Sequence, residues 1–179
     1  RDSFCDGGEF LSVKDAFSQY KKLKNEGAAI VDVGGESTRP GSKTVSAKKE
    51  LQRIMPVIDQ IKSNSKNSLV SVDTRKSTVM KAVMKYNVDF INDVSGLRYD
   101  NKAISFLNNA KIPFIIMHSI SNPAKMQKSI KYKDVLLDVY DFLEKQIEKC
   151  KSKGISENKI IIDPGIGFGK TLKQNLTLI

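Results

Sequence analysis

The sequence is poor in the residues that form disulfides or bind soft metals. Its two cysteines, Cys5 and Cys150, are far apart and match no Cys-x-x-Cys pattern, which argues against a disulfide framework and a cysteine-based zinc site. The single histidine, His118, cannot bind zinc without other soft ligands, and a Ser/His/Asp triad needs a nucleophile within hydrogen-bond reach. A structural histidine is as consistent with the sequence as a catalytic one, so no role is assigned to His118.

Long hydrophobic runs are also missing. The strongest apolar runs, residues 112–117 and 160–162, are far shorter than the roughly 20 residues that a helix needs to cross a bilayer. No positively charged start followed by an apolar stretch opens the sequence, so no signal peptide is expected. We expect no membrane partner, and the unpaired pattern of the two cysteines indicates a reducing, cytoplasmic setting.

The charge of the chain is strongly positive. A formal net charge of +10 raises the question of nucleic-acid binding. The lysines are scattered, however, and most fall on polar faces or C-terminal ends of predicted helices, where positive charge complements the helix dipole. No aromatic RNA-binding pattern interrupts them. We expect solvated helix faces, no nucleic-acid partner, and a general attraction for anionic small substrates.

Apolar runs and helical patterns alternate along the chain, which at 179 residues fits one domain. Alternating strands and helices predict parallel strands joined by crossover helices. Strands are predicted at residues 28–33, 68–73, 88–93, 112–117 and 159–163. Helices are predicted at residues 13–23, 51–61, 77–86, 102–110 and 132–153 and near Thr171, with a kink near the turn that precedes Pro56. In the longest helix, the residues expected to face inward are Val135, Val139, Leu143, Ile147 and Cys150.

The residues at the strand ends distinguish between two α/β architectures. An open doubly wound sheet gathers ligand contacts at one switch point, whereas a closed barrel draws its active site from the carboxyl ends of several strands. One polar strand end is more often a cap or a loop contact, but a polar residue at the end of every predicted strand favours the barrel. These residues are Asp32, Asp73, Asn92, Asp93, His118 and Asp163.

A glycine-rich segment follows the last predicted strand. Residues 163–171 end like a phosphate-binding P-loop, but Pro164 stands where the first glycine of that motif belongs. The glycines also alternate, which does not match the dinucleotide-binding pattern. Two readings remain open, a tight strand-to-helix turn and a close approach of a ligand to the glycine backbone.

Several motifs, taken together, resemble the dihydropteroate synthase family. They are residues 2–8 (DSFCDGG), 32–41 (DVGGESTRPG), 71–74 (SVDT), 91–94 (INDV), 117–118 (MH) and 163–170 (DPGIGFGK). The resemblance implies an α/β fold, a (β/α)₈ TIM barrel, of which this chain carries strands 2 to 6 with their helices. Strands 1, 7 and 8 would be missing, and residues 1–179 would form a single partial pterin-binding domain.

The resemblance also implies an activity, the condensation of 6-hydroxymethyl-7,8-dihydropterin pyrophosphate with p-aminobenzoate, which releases pyrophosphate. By resemblance, the pterin is bound by Asp73, Asn92, Met117, Asp163 and Phe168. The pterin presents an N–H and an amino group side by side, and one carboxylate can accept both hydrogen bonds. Met117 and Phe168 would form apolar walls around the flat ring.

Two loops of the resemblance concern p-aminobenzoate and pyrophosphate. The residues implied there are Phe4, Asp6, Thr38, Arg39 and Pro40. Arg39 would meet pyrophosphate, Phe4 would cover the aminobenzoate ring, and Asp6 would pair with Arg39. Arg1 and Cys5 depart from the family pattern, which usually has proline and serine at these positions.

The catalytic residues implied by the resemblance are Asp73 and Arg39. Pyrophosphate is thought to leave before the amine attacks, and Asp73 would stabilise the positive charge of the pterin-methyl cation. Mg²⁺ is the implied cofactor and would neutralise the leaving pyrophosphate. No metal ligand is expected in this chain, because the implied asparagine lies upstream of Arg1. The resemblance further implies a sulfonamide target that forms a homodimer when full length.

Two alternatives remain at this point. A pterin-binding-barrel methyltransferase acting on methyltetrahydrofolate and a corrinoid protein would share Asp73, Asn92 and Asp163, but it has no need for the segment 36–41. A non-catalytic fragment that binds a pterin or, given the net charge of +10, a nucleic acid is the other alternative.

Overall fold

The computed structural model of the protein describes residues 12–38, 42–119 and 132–179. These residues form one parallel sheet of five strands in the order β1-β2-β3-β4-β5. A doubly wound sheet would reverse its strand order at a switch point, whereas a barrel keeps consecutive strands adjacent. The arrangement confirms the predicted partial α/β barrel. The strands are β1 (Ile30–Gly34), β2 (Leu69–Asp73), β3 (Phe90–Asp93), β4 (Phe114–Met117) and β5 (Ile160–Asp163).

Each strand is followed by a helix within the described ranges. The α-helices are α1 (Val13–Asn25), α2 (Ala47–Asn64), α3 (Ser77–Val83), α4 (Ala103–Ala110), α5 (Val135–Lys151) and α6 (Leu172–Thr177). A 3₁₀ turn, Met84–Tyr86, continues α3, and another, Glu157–Lys159, precedes β5. None of the described helices is long and apolar enough to span a bilayer.

Local chemistry sets several element boundaries. Strand β4 begins at Phe114, two residues later than predicted, because Pro113 has no N–H to donate to a neighbouring strand. Helix α5 begins at Val135 rather than at residue 132, because the Asp134 side chain accepts hydrogen bonds from the free N–H groups of Leu136 (2.9 Å) and Leu137 (3.1 Å).

Helices α2 and α5 each contain one residue with a stated expectation, Pro56 in α2 and Ile147 in α5. Helix α2 runs from Ala47 to Asn64 through Pro56, so the proline does not divide the helix, and the expected kink stays a prediction. On α5, Gln146 is buried and Ile147 is only partly buried. Ile147, expected to face inward, lies at the edge of the buried stripe, because the stripe follows the 3.6-residue period through residues 139, 143, 146 and 150.

The two faces of the sheet have different surroundings. Val31, Val70 and Val72 point toward the helices and are at most 2% exposed. Burying each such side chain contributes about 1.5–3 kcal/mol. On the opposite face, the interior of the barrel, Ile30 is 43% and Leu69 40% exposed. The core described here therefore lies between the sheet and its helices, and the interior face is open.

Candidate functional site

The carboxyl ends of four neighbouring strands bring predicted site residues, three of them polar, to the interior face. Asp73 ends β2 and is the register partner of Asn92 on β3. Asp163 ends β5 and is the partner of Met117 on β4. Partners in parallel strands point to the same face, and Asn92 is paired with Ile115, two residues before Met117. Asp73, Asn92, Met117 and Asp163 therefore share the interior face, where sequence analysis expects them.

Asp32 on β1 joins this group through a hydrogen bond. Its Oδ2 accepts from Asn92 Nδ2 at 3.0 Å. Because a carboxylate only accepts, the amino group of the amide must face Asp32. In the sequence, Asp32 is a polar strand end to which no role was assigned. The structure shows that it fixes the orientation of the Asn92 amide.

The Asp73 carboxyl is the most perturbed acid of the described site. Burial, followed by the negative charges of Asp32 and Asp93, raises its pKa well above the ordinary value. Strand β1 comes very close here, since a Cβ at Gly34 would lie 3.2 Å from Asp73 Cβ. A cationic group placed beside Asp73 would be stabilised by the carboxylate and would lower the pKa of Asp73.

The next residue on β3, Asp93, points away from the interior. It is fully buried, and its Oδ1 accepts hydrogen bonds from the Ser95 N–H (2.8 Å) and hydroxyl (2.6 Å). Burial raises the pKa of Asp93, and the bonds from Ser95 oppose this shift. Asp93 therefore shapes the turn after β3, and it does not reach the interior face occupied by Asn92.

A buried ionic network holds the chain after β1. Glu36 accepts from Arg75 Nε and Nη2 (3.0 Å each), from Lys76 Nζ (2.7 Å) and from Val45 N (2.8 Å). Lys76 also donates to Glu50, which is fully buried. Burial alone would raise the pKa of Glu36, but the bonds from Arg75 and Lys76 outweigh it and lower the pKa. The network joins the start of the β1–α2 connection to its end at Val45.

Most of this network was not predicted from the sequence, where no role was assigned to Arg75, Lys76 or Glu50. The available signal was Glu50, which lies four residues before Ile54 on the apolar stripe of α2. A charged residue on a helix face that points into the core requires a partner of opposite charge.

A cavity of about 280 Å³ lies among the connections that follow β1 to β4. Thr38 and Asp73 line it, together with Ser95, Tyr99 and Ser119 from the later connections. It therefore joins two of the predicted site residues. The remaining described ones do not line it. Asn92 and Asp163 lie partly buried on the interior face, Met117 is buried there, and Phe168, half-buried, lies in the turn after β5.

The glycine-rich segment forms a tight turn packed against the end of β4. Gly165 has φ +71°, and a Cβ there would lie 1.9 Å from the carbonyl oxygen of His118. Its N–H donates to Asp163 Oδ1 at 2.7 Å. The glycine is therefore required both for its backbone conformation and for close packing. Of the two readings left open by the sequence, the tight turn is the one that the structure shows.

His118 lies in an aromatic pocket. It is 5% exposed, and its ring contacts Phe142 edge-on with ring centres 4.9 Å apart. Burial, with the positive charges of Lys170 and Arg98, lowers its pKa to about 4. The His118 imidazole is therefore neutral at pH 7 and packs against neighbouring aromatic rings. Within the described ranges, no group of three histidine, cysteine, aspartate or glutamate residues could hold a metal ion.

Comparison with known proteins assigns the family. The model of the family described as "Pterin binding enzyme" matches residues 1–179. The chain belongs to this family. A relative from Synechocystis, named dihydropteroate synthase, is 39% identical over 178 residues, which are 99% of this chain and 61% of the relative.

Solved structures of other pterin binding enzymes have the same fold. Yersinia pestis dihydropteroate synthase, solved with a sulfonamide drug complex, superposes with a TM-score of 0.90 at 36% identity. The superposed part comprises 99% of this chain and 64% of the Yersinia chain. Xanthomonas albilineans dihydropteroate synthase with 4-aminobenzoic acid gives a TM-score of 0.85 at 36% identity, over 98% and 61%. The chain thus spans somewhat under two thirds of the length of these relatives.

Several predicted site residues of this pterin binding enzyme lie outside the described ranges. These are Phe4, Asp6, Arg39 and Pro40. Thr38 is described and lines the cavity. The structure therefore describes all of the residues predicted to contact the pterin. Of the residues predicted for the p-aminobenzoate and pyrophosphate loops, it describes only Thr38.

Proposed function

We propose that this chain is the central part of a dihydropteroate synthase. Such an enzyme condenses 6-hydroxymethyl-7,8-dihydropterin pyrophosphate with p-aminobenzoate and gives 7,8-dihydropteroate and pyrophosphate. The observation that carries the proposal is the grouping of Asp73, Asn92 and Asp163 on one face at the strand ends. The similarity to enzymes of that name along almost the whole chain favours it over the methyltransferase alternative.

The proposed pterin site uses carboxylates and an amide against the polar edge of a flat ring. Asp163 accepts two hydrogen bonds from the adjacent N–H and amino group of the pterin, the strongest geometry available to a carboxylate. Asn92, whose amide orientation is fixed by Asp32, contributes a further polar contact. Met117, 2% exposed, and Phe168 supply apolar walls.

The second substrate would bind nearer the surface. Thr38, which lines the cavity together with Asp73, would contact p-aminobenzoate beside Arg39 and Pro40. Phe4 would cover the aminobenzoate ring, and Asp6 would pair with Arg39. The similarity to the Xanthomonas albilineans enzyme solved with 4-aminobenzoic acid supports this assignment of substrate class.

The proposed chemistry is loss of pyrophosphate followed by attack of the amine. The C–O bond to pyrophosphate breaks with its electron pair leaving on oxygen, which produces a pterin-methyl cation. Asp73 would stabilise this cation. Burial and neighbouring negative charges raise the pKa of Asp73, and a positive charge beside the carboxylate would offset both unfavourable effects on its ionised form. Arg39 would act on the departing pyrophosphate. The aromatic amine then forms the new C–N bond and loses a proton.

The remaining expectations about the whole enzyme are also proposals. Mg²⁺ would neutralise pyrophosphate, but the described residues offer no ligand set for it. Its expected ligand lies upstream of Arg1, so no step of the mechanism is assigned to it. A cytoplasmic location, a homodimer and sensitivity to sulfonamides belong to the same proposal.

The proposal is tested in a version of the enzyme that contains all eight barrel strands. Asp163→Asn replaces one acceptor with a donor facing the pterin's own donors. Losing one charge-assisted hydrogen bond, about 1.5–3 kcal/mol, predicts a drop of roughly 10- to 100-fold in affinity for 6-hydroxymethylpterin, measured by calorimetry. Asp59→Asn, on the exposed side of α2, is the matched control.

Arg39→Ala separates catalysis from binding. Its charge acts on pyrophosphate as that group departs, so pyrophosphate release should fall more than pterin binding does. If Asp163→Asn binds the pterin as tightly as the wild type, the assignment of the pterin edge to Asp163 is wrong. Failure of the unaltered enzyme to form 7,8-dihydropteroate would overturn the proposed function itself.

A further inference from the structure

One lysine at the site has no role in the proposed mechanism. Lys170 is only 8% exposed, which is rare for a lysine unless its ammonium group is bonded. Its Nζ donates to the carbonyl oxygens of Gly165 (2.8 Å) and Phe168 (3.3 Å), and more distantly to that of His118 (3.5 Å). An ammonium group has three donors, and three backbone carbonyls surround this one.

The carbonyls belong to two parts of the fold. Gly165 and Phe168 lie at opposite ends of the turn after β5, where the Phe168 N–H also donates to the Gly165 carbonyl at 3.0 Å. His118 follows β4, and its own N–H donates to the Asp163 carbonyl at 2.9 Å. Lys170 thus closes the turn on itself and attaches it to the end of β4.

Two residues of the proposed pterin site are carried by this turn. Asp163 lies at the start of the turn, where its Oδ1 accepts a hydrogen bond from the Gly165 N–H at 2.7 Å, and Phe168 lies at its end. Gly165 cannot move aside freely, because its α-carbon is already packed against the His118 carbonyl. Small changes in the turn therefore alter the carboxylate and the ring together.

The sequence suggests another role for this lysine, because Gly169-Lys170-Thr171 ends like a P-loop, whose lysine binds phosphate. The contacts argue against it. The ammonium faces carbonyl oxygens, and its stem is buried, so it is not free to meet a phosphate. Burial lowers the pKa of Lys170 to about 8, and the charge of Asp163 opposes that shift, so the group is mostly charged at neutral pH.

We propose that Lys170 is a positioning residue for the pterin site, which sets the geometry of Asp163 and Phe168 by bonding the carbonyls of the turn between them. The inference rests on the proposed function. It assigns to Lys170 no contact with either substrate. Its loss should therefore weaken pterin binding and leave the affinity for p-aminobenzoate and for pyrophosphate unchanged.

The test compares Lys170→Met with Lys173→Met in a version of the enzyme that contains all eight barrel strands. Methionine keeps an unbranched stem of similar length and removes the ammonium group, and Lys173 is exposed on α6 of the same segment. Affinities for 6-hydroxymethylpterin and for inorganic pyrophosphate are measured by calorimetry, and KM is measured for both substrates.

We expect Lys170→Met to bind 6-hydroxymethylpterin roughly tenfold more weakly, as expected for a slightly displaced hydrogen-bonding group, with less than a twofold change in KM for p-aminobenzoate. Lys173→Met should match the unaltered enzyme. Unchanged pterin affinity in Lys170→Met, or equal changes in both KM values, would overturn the proposal. Lost pyrophosphate affinity with normal pterin binding would overturn it in favour of a phosphate contact.

A further variant covers the case in which Lys170→Met does not fold. Lys170→Gln retains an amide donor that reaches fewer carbonyls, so this variant should fold. It should bind the pterin more weakly than the unaltered enzyme, with a loss of affinity smaller than the tenfold loss expected for Lys170→Met. Unaltered pterin affinity in Lys170→Gln would contradict the proposal. If the unaltered enzyme itself does not bind 6-hydroxymethylpterin, the proposed function fails, and the inference fails with it.

Discussion

The buried histidine predicts how the stability of the fold depends on pH. Burial and the nearby charges of Lys170 and Arg98 lower the pKa of His118 from 6.5 to about 4. The unfolded chain therefore takes up a proton near pH 6.5, whereas the folded chain does not until near pH 4. The contribution of His118 to the free energy of unfolding is therefore fully present above pH 6.5 and is lost as the pH falls from 6.5 to about 4.

The magnitude follows from the displaced pKa. Each tenfold change in proton affinity corresponds to about 1.4 kcal/mol. Because the pKa of His118 is about 4 in the folded chain and 6.5 in the unfolded chain, acidification to pH 4 should lower the free energy of unfolding by on the order of 3 kcal/mol. His118→Phe keeps an aromatic ring for the edge-on contact with Phe142 and does not titrate. The free energy of unfolding should therefore fall less with acid in His118→Phe than in the unaltered protein.

The measurement is urea denaturation of both proteins between pH 7 and pH 4, in the eight-stranded version. The imidazole proton resonance of His118, identified by its loss in His118→Phe, reports the pKa directly by NMR. A resonance that titrates near pH 6.5 would refute the reasoning, because burial would then cost the charged imidazole nothing. Equal acid sensitivity of the two proteins would refute it as well.

Three further predictions concern packing, charge and exposed surface. Gly165→Ala forces a Cβ to within 1.9 Å of the His118 carbonyl at φ +71°, so it should cost about 2–5 kcal/mol in urea denaturation; Gly27→Ala, with nothing within 4 Å, controls for φ alone. Lys76→Met leaves Glu36 and Glu50 without a shared partner and should cost about 3–5 kcal/mol, and a loss below 1 kcal/mol would contradict the network's importance. The isolated 179-residue chain exposes its apolar interior face and should aggregate, so a monomer that unfolds cooperatively would be evidence against this prediction.

Two kinds of sequence information contributed to the predicted site. The apolar runs placed polar residues at the strand ends, and the two-residue alternation of strands decides which face each one occupies. The choice of Asp73, Asn92 and Asp163 among them came from the family resemblance. Boundaries were less accurate where single side chains act, as at Pro113 and Asp134. These are local effects that can still be read from the chain.

The ionic network could not be predicted in the same way. Glu36 and Arg75 are 39 positions apart, and Lys76 and Glu50 are 26 apart, so their pairing depends on how β1, β2 and α2 pack. Only the charge of Glu50 on an apolar stripe signals that a partner exists. The role of Lys170 was hidden for a related reason, because backbone carbonyls that accept a lysine have no sequence signature.

Asn92 and Asp93 are consecutive residues that serve opposite faces of one strand. Inserting or deleting a single residue within β3 would reverse the faces that they occupy, placing a further carboxylate on the interior face beside Asp73 and an amide under the helices. Composition would barely change, yet both environments would be wrong. Homologous chains should therefore vary in length between their strands and helices while keeping β3 free of insertions and deletions, and a random-insertion library should show the same intolerance at these positions.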